Sequence, residues 1–283
     1  MRLSSPHCKA ELFAVMLKIK KTLWAGVILA LSFGAAAEAQ TTIRLGISGG
    51  VMEDVAEAAS QAAAREGEIR IKPVVFTGHL NANGPLNDGD LDANAFQHEP
   101  YLRGQVRAHG YALAPVARTL SAPLGIYSRK YKSLEELPEG ALVGIPGDDT
   151  NRNRALLLLQ HYGLITLRAD LDVNKGDNAT ALDIVANPRK LDIREIDSLI
   201  LARALDDVDA GAIITAEASQ AGLLPARDAI AIEPPGGPYA NVLVVREQDR
   251  EQPWVAPLTR AFQSDEVRQL LATRYSGTLL PAF

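Results

Sequence analysis

Apolar and polar positions alternate through Ile43-Arg44-Leu45-Gly46-Ile47 and stop at Ser48-Gly49-Gly50. From there Val51, Val55, Ala58, Ala59 and Ala62 recur at helical spacing up to Gly67. The pattern predicts strand, tight turn and helix. Residues Ile69 to Phe76 form a second strand run, and two parallel strands need a crossover of this kind, so the chain opens with a βαβ unit. Further strands are expected at Leu91 to Phe96, Tyr111 to Ala117, Leu124 to Tyr127, Leu142 to Ile145, Ile193 to Ile196, Ala212 to Ile214 and Val242 to Val245. Helices are expected at Asn151 to Tyr162, Ala179 to Val185, Ser198 to Leu205 and Trp254 to Tyr275.

Two stretches interrupt this α/β pattern: Leu120-Ser121-Ala122-Pro123 and Glu233-Pro234-Pro235-Gly236-Gly237-Pro238. Stiff proline and permissive glycine mark both as expected crossings between domains. They predict a first lobe from residues 40–121 plus 236–283 and a second lobe from 122–235. Two lobes joined twice suggest a hinged clamp with a ligand cleft between them.

The first 39 residues stand outside this pattern. Lys18, Lys20 and Lys21 precede an apolar run from Leu23 to Phe33, and small residues end at Ala37-Glu38-Ala39. This is the order of a secretory signal peptide, with cleavage expected after Ala39 and Met1 to Val15 read as upstream sequence. The apolar run is shorter than the about 20 residues of a spanning helix. No cysteine stands at the cleavage point, so no lipid anchor is expected and the mature protein is expected to be soluble in the periplasm.

Composition narrows the classes further. The chain has 283 residues, 47% hydrophobic and 22% charged, which suits a folded globular protein. Cys8 is the sole cysteine, which excludes an intramolecular disulfide and a cysteine-cluster metal site. Losing residues 1–39 removes five cations and two carboxylates, so the formal charge falls from −5 to −8. An acidic surface of that kind argues against nucleic acid as a partner.

Several motifs invite chemistry. Gly46-Ile47-Ser48-Gly49-Gly50 fits the G-x-S-x-G nucleophile elbow in a strand-to-helix setting, although no acid and histidine pair stands out as following Ser48. A secreted serine hydrolase centred on Ser48 is therefore a remote alternative, and a glycine turn that exposes helix amides is the plainer one. Asp88-Gly89-Asp90-Leu91-Asp92 with Glu99 imitates a calcium loop, but Ala93 occupies the position that needs glycine. His7, His79, His98, His109 and His161 show no metal-ligand spacing, and neither metal nor cofactor is expected. Asp149-Thr150-Asn151-Arg152-Asn153-Arg154 before Ala155-Leu156-Leu157-Leu158-Leu159 is more informative. Asp149 or Thr150 can cap a helix there, and Arg154 offers a planar fork suited to a carboxylate.

Longer strings carry a resemblance. Asn87 to His98 (NDGDLDANAFQH) with Pro100-Tyr101-Leu102, then Arg154 to Gln160 (RALLLLQ), Leu205-Asp206-Asp207-Val208-Asp209, Ala218-Ser219-Gln220-Ala221-Gly222-Leu223 and Gln263-Ser264-Asp265-Glu266-Val267 closely resemble the NlpA-type methionine-binding lipoprotein family, in family order. The resemblance implies an α/β, two-lobed periplasmic-binding-protein-like (type II) fold with two inter-lobe crossings. It also implies a receptor, not an enzyme, that delivers methionine or a related amino acid to the permease of an ABC importer in the inner membrane. Carried over by motif, Phe96, His98 and Tyr101 would face the ligand side chain, Asn151 and Arg154 its carboxylate, and Asn241 its head group. An aromatic lining suits a polarizable thioether.

The chain also departs from the family pattern. Where members usually read I-N-T-T-Y-A, this one has Ile213-Ile214-Thr215-Ala216-Glu217-Ala218, so Ile214 replaces a polar ligand contact. Tyrosines of the family align with His79 and Ala122, which shrinks the aromatic box. Losing a hydrogen bond to a charged group costs roughly 1.5 to 3 kcal/mol, about ten- to hundredfold in affinity. A non-methionine ligand, a small organic acid or peptide shaped by His79, Ile214 and Glu217, is therefore the alternative within the class.

Overall fold

The computed structural model describes residues 40–76, 82–171 and 177–283. The expected leader and its cleavage point lie outside the described residues, and so does His79. In chain order the elements are β1 (Thr41–Ser48), α1 (Val51–Glu66), β2 (Ile69–Phe76), α2 (Asn83–Asn87), β3 (Ala93–His98), α3 (Glu99–His109), β4 (Leu113–Ser121) and β5 (Gly125–Tyr127). There follow β6 (Leu142–Pro146), α4 (Asp149–His161), β7 (Thr166–Leu167), β8 (Ile184–Ala186), β9 (Asp192–Ile196), α5 (Ser198–Leu201), β10 (Ala210–Ile213) and α6 (Thr215–Gln220). The chain ends with α7 (Pro225–Asp228), β11 (Ala229–Ile232), β12 (Ala240–Arg246), α8 (Val255–Phe262), α9 (Asp265–Thr273) and β13 (Leu280–Pro281).

These strands build two main sheets, in the orders β13-β4-β12-β3-β1-β2 and β11-β5-β10-β6-β9. The opening βαβ unit forms as its pattern predicts, with β1 parallel to both β2 and β3. In the second sheet β6 is the parallel neighbour of β9 and of β10. The chain passes from the first sheet to the second between β4 and β5 and returns between β11 and β12, making a two-lobed molecule crossed twice. Each lobe has its own apolar core. Ile43, Leu45 and Ile47 of β1 pack with Val55 and Ala59 of α1 and with Leu258 and Phe262 of α8. Val143 and Ile145 of β6 pack with Leu156 and Leu159 of α4.

Local chemistry moved several boundaries. The run Trp254 to Tyr275 is two helices, because the Ser264 hydroxyl accepts from the Val267 amide at 3.4 Å and caps α9 as a new start. Ala179 to Val185 is not a helix. Thr180 and Asp183 cap each other around a single 3-10 turn, Ala181–Asp183, and β-branched Ile184 and Val185 enter β8. Ser198 to Leu205 stays helical only to Leu201 before a separate 3-10 turn at Ala204–Asp206. β3 starts two residues later than expected and runs on to His98, and β4 begins at Leu113 and extends to Ser121.

The lost calcium reading has a direct structural reason. Asp92 accepts from the Arg44 backbone amide at 2.8 Å and from two nitrogens of the Arg44 guanidinium at 2.8 and 3.0 Å. Burial pushes its acid strength the other way, but the Arg44 hydrogen bonds hold it below the usual carboxylate range. The same arginine also bonds the Gly89 carbonyl at 2.8 Å, so the loop is tied by the chain itself.

Gly46 lies where β1 runs between β2 and β3, and a Cβ there would stand 2.7 Å from both Ala82 Cβ and Leu91 Cδ1. Gly46→Ala is therefore expected to destabilise the protein by about 1–3 kcal/mol through overpacking. Denaturant unfolding checks this, and an unchanged midpoint contradicts the packing described.

Candidate functional site

The parallel strands of both sheets run their carboxyl ends toward one cavity. β1 ends at Ser48, β2 at Phe76 and β3 at His98, while β6, β9 and β10 lead into Gly147, Asp197 and Ile214, and all of these residues line it. Ligands of open α/β sheets settle at this position because side chains and helix starts converge there while strand hydrogen bonding stays intact. The cavity holds about 550 Å³.

Six of the residues singled out in the sequence come together here, namely Phe96, His98, Tyr101, Asn151, Arg154 and Asn241, and Ile214 joins them. β3 and α3 position the first three. The His98 Nδ1 accepts the Tyr101 amide at 3.1 Å and caps α3, which leaves the ring proton on Nε2. Nε2–H then faces the Asn151 Oδ1 at 3.0 Å, a bond from one lobe to the other. Burial, reinforced by the charge of Arg154, pushes His98 down to about 3, so the ring stays neutral near pH 7. Tyr101 meets Phe96 edge to face at 6.3 Å, and burial pushes its hydroxyl up to about 12.

The N-cap of α4 is Asp148, one residue before the expected cap. Its carboxylate accepts from the Asn151 amide at 3.0 Å and from the Asn151 side chain at 3.1 Å. Asn151 is thereby fixed at both ends of its amide. Arg154 is not the open fork expected from its position. Its Nε donates to Glu233 Oε1 at 2.8 Å, while Nη2 donates to Glu233 Oε2 and, at 2.8 Å, to the Ala122 carbonyl. The guanidinium also lies 4.5 Å over the Tyr239 ring. Of its donors, Nη1 makes no hydrogen bond among the described residues. Asn241, beside His98 in the β12–β3 register, likewise keeps its side-chain amide unbonded within them.

Sequence reasoning missed Glu233 and Tyr239, which set the arginine, and Asp148, which sets the asparagine. A lone carboxylate opening the Pro-Gly crossing was the signal for Glu233. The helix amides after Gly49-Gly50 are also less open than expected. Glu53 accepts from the Gly50 amide at 2.9 Å, and the Ser219 hydroxyl of the other lobe lies 3.4 Å from the Val51 amide. Gly50 has φ 77°, and a Cβ there would collide with the Ser219 hydroxyl, so this approach of the lobes requires glycine. Ser48 Oγ is buried and makes no hydrogen bond to a base or to any other group among the described residues, which removes support from the nucleophile reading. Among the described residues no group of acids, histidines or cysteines could hold a metal ion, and no helix is long and apolar enough to cross a membrane.

This two-lobed, doubly crossed fold with a ligand-sized cavity at its strand ends is the architecture of solute receptors. The NlpA lipoprotein profile matches residues 43–283, and the chain belongs to that family. It is 40% identical to outer membrane lipoprotein 3 of Mannheimia haemolytica over 93% of this chain and 99% of that protein. It is also 40% identical to the probable D-methionine-binding lipoprotein MetQ of Vibrio cholerae, over 89% and 93% respectively. A nutrient binding protein from Burkholderia cenocepacia, solved bound to methionine, superposes with a TM-score of 0.81 at 43% identity, covering 85% of this chain and all of that one.

The Arg154–Glu233 pair, with side chains 4% and 15% exposed, generates the prediction for this site. Arg154→Ala strands a carboxylate in a poorly hydrated place and is expected to cost about 3–5 kcal/mol of stability. The double substitution Arg154→Met with Glu233→Gln should lose less than Arg154→Met alone. Equal losses in a double-mutant unfolding cycle contradict the pairing.

Proposed function

We propose that this protein binds methionine or a closely related amino acid in the inter-lobe cavity and delivers it to the permease of an ABC importer in the inner membrane. The observation that carries the reading is the convergence of Phe96, Tyr101, Asn151, Arg154 and Asn241 on that single cavity at the strand ends. Arg154, held rigid by Glu233, presents Nη1 to the ligand carboxylate. Asn241 supplies its unbonded amide to the head group, and Phe96 with Tyr101 forms the wall against which a thioether packs. The methionine bound by the Burkholderia cenocepacia relative supports this choice of ligand.

The mechanism is closure. Contacts such as His98 to Asn151 and Ser219 to the Val51 amide join the lobes, and a ligand that touches both lobes adds to them only when the cleft is shut. The closed receptor is the form that docks on the permease, and the periplasm is where it meets ligand. The site acts by binding.

Titration calorimetry of L-methionine into protein that has been unfolded, dialysed and refolded is expected to show saturable one-to-one binding at micromolar or tighter affinity. Asn241→Ala should weaken it about tenfold, the worth of one hydrogen bond to a charged group. Absence of heat from intact refolded protein contradicts methionine as the ligand.

A further inference from the structure

The cavity carries more acid than the contacts just assigned would use. Asp148, Asp197 and Glu217 all line it, whereas Arg154, its lining cation among the described residues, is already matched by Glu233. Two of the three acids have structural work. Asp148 caps α4 and also accepts from the Ser198 hydroxyl at 3.2 Å. Asp197 caps α5 by accepting the Leu199 amide at 2.9 Å. Glu217 differs, because its carboxyl makes no hydrogen bond or ion pair among the described residues. Burial, with repulsion from Asp197 added, pushes it up to about 7.

Glu217 sits one helical turn from Ile214, the apolar N-cap residue of α6, which lines the same cavity. A second group unmet among the described residues also lines the cavity, the buried hydroxyl of Ser48. A half-buried carboxyl with no partner among the described residues is costly, and a ligand cation removes that cost only while bound. We infer that Glu217 is the counter-charge for a protonated nitrogen of the ligand, so that the cavity selects amine-bearing solutes and rejects carboxylates that lack nitrogen. The inference rests on the cleft being the ligand site.

The other charged groups around α6 leave the role to Glu217. Glu53, at the start of α1, is taken by the Gly50 amide. Arg227, beyond the end of α6, is paired with Asp228 and bonded to the Gly222 carbonyl. Asp197 and Asp148 add negative charge, which favours the same ligand sign. His98, pushed down to about 3, does not titrate near neutrality. A cation stabilises the ionised form of Glu217, so ligand affinity must rise as pH rises through its raised value. A ligand accepting a proton-mediated bond from the acid form would show the opposite slope.

The test is calorimetry on refolded protein with L-methionine, its nitrogen-free analogue 4-(methylthio)butanoate, and L-lysine, from pH 5.5 to 7.5. For the wild type we expect methionine affinity to climb with pH by up to about tenfold per pH unit and the nitrogen-free analogue to bind far more weakly. Glu217→Gln should lose about ten- to hundredfold at pH 7.5 and flatten the profile. Glu217→Asp, which keeps the charge, should retain part of both, and thermal melting confirms that each variant is folded. Methionine binding that ignores Glu217→Gln, or that weakens as pH rises, overturns the inference while leaving the receptor reading intact. Lysine bound in preference to methionine, and lost in Glu217→Gln, supports the inference and removes methionine, placing the partner cation in the ligand side chain. Binding of none of the three overturns both.

Discussion

Arg154 is buried at the junction of the two lobes, and the arrangement around it constrains the rest of the site. Its planar fork cannot satisfy a ligand and remain disordered. Glu233 and the Ala122 carbonyl therefore take one edge, and Tyr239 takes a face. Ala122 and Glu233 belong to the two connections between the sheets, so one guanidinium clamps both crossings at once. The remaining nitrogen, Nη1, is then presented in one direction by a side chain that has little rotamer freedom left to lose. Preorganisation of this kind raises affinity by lowering the ordering cost of binding.

Neutral polar groups, with the Asp148 carboxylate, do the rest of the positioning. The tautomer of His98 follows from the Tyr101 amide, and its Nε2–H then reaches Asn151 across the cleft. Gln97, which lines the cavity, is bonded with Asn83 and Asn94, with Asn94 Nδ2 to Asn83 Oδ1 at 2.9 Å and Asn83 Nδ2 to Gln97 Oε1 at 2.9 Å. Such buried amides are costly unless fully matched, and here they fix the register of β3 against α2. The family string around Asn94, Phe96, Gln97 and His98 thus mixes wall residues with supports.

Much of this was legible from the residues. The alternation of β1, the helical spacing of α1 and the two proline-marked crossings suffice for the first βαβ unit and for two lobes. The failures have particular causes. Periodicity runs straight through Ser264, whose capping hydroxyl ends one helix and begins another. Thr180 and Asp183 close a turn on themselves where apolar spacing suggested a helix. The partner of Arg154 stands 79 residues away at the start of the return crossing, and no local pattern announces so distant a pair. Ile214 and Glu217 stood out only as departures from a family string, and their shared cavity wall became visible only in three dimensions.

Ligand binding depends on how Arg154 divides its donors between the protein and the ligand. A crystal structure of protein purified without unfolding, so that it keeps the ligand it carries, measures this directly. Ligand density is expected in the inter-lobe cavity, with its carboxylate within hydrogen-bond distance of Arg154 Nη1 and the bonds to Glu233 preserved. Density elsewhere, or an Arg154 that leaves Glu233 to hold the ligand alone, would contradict it.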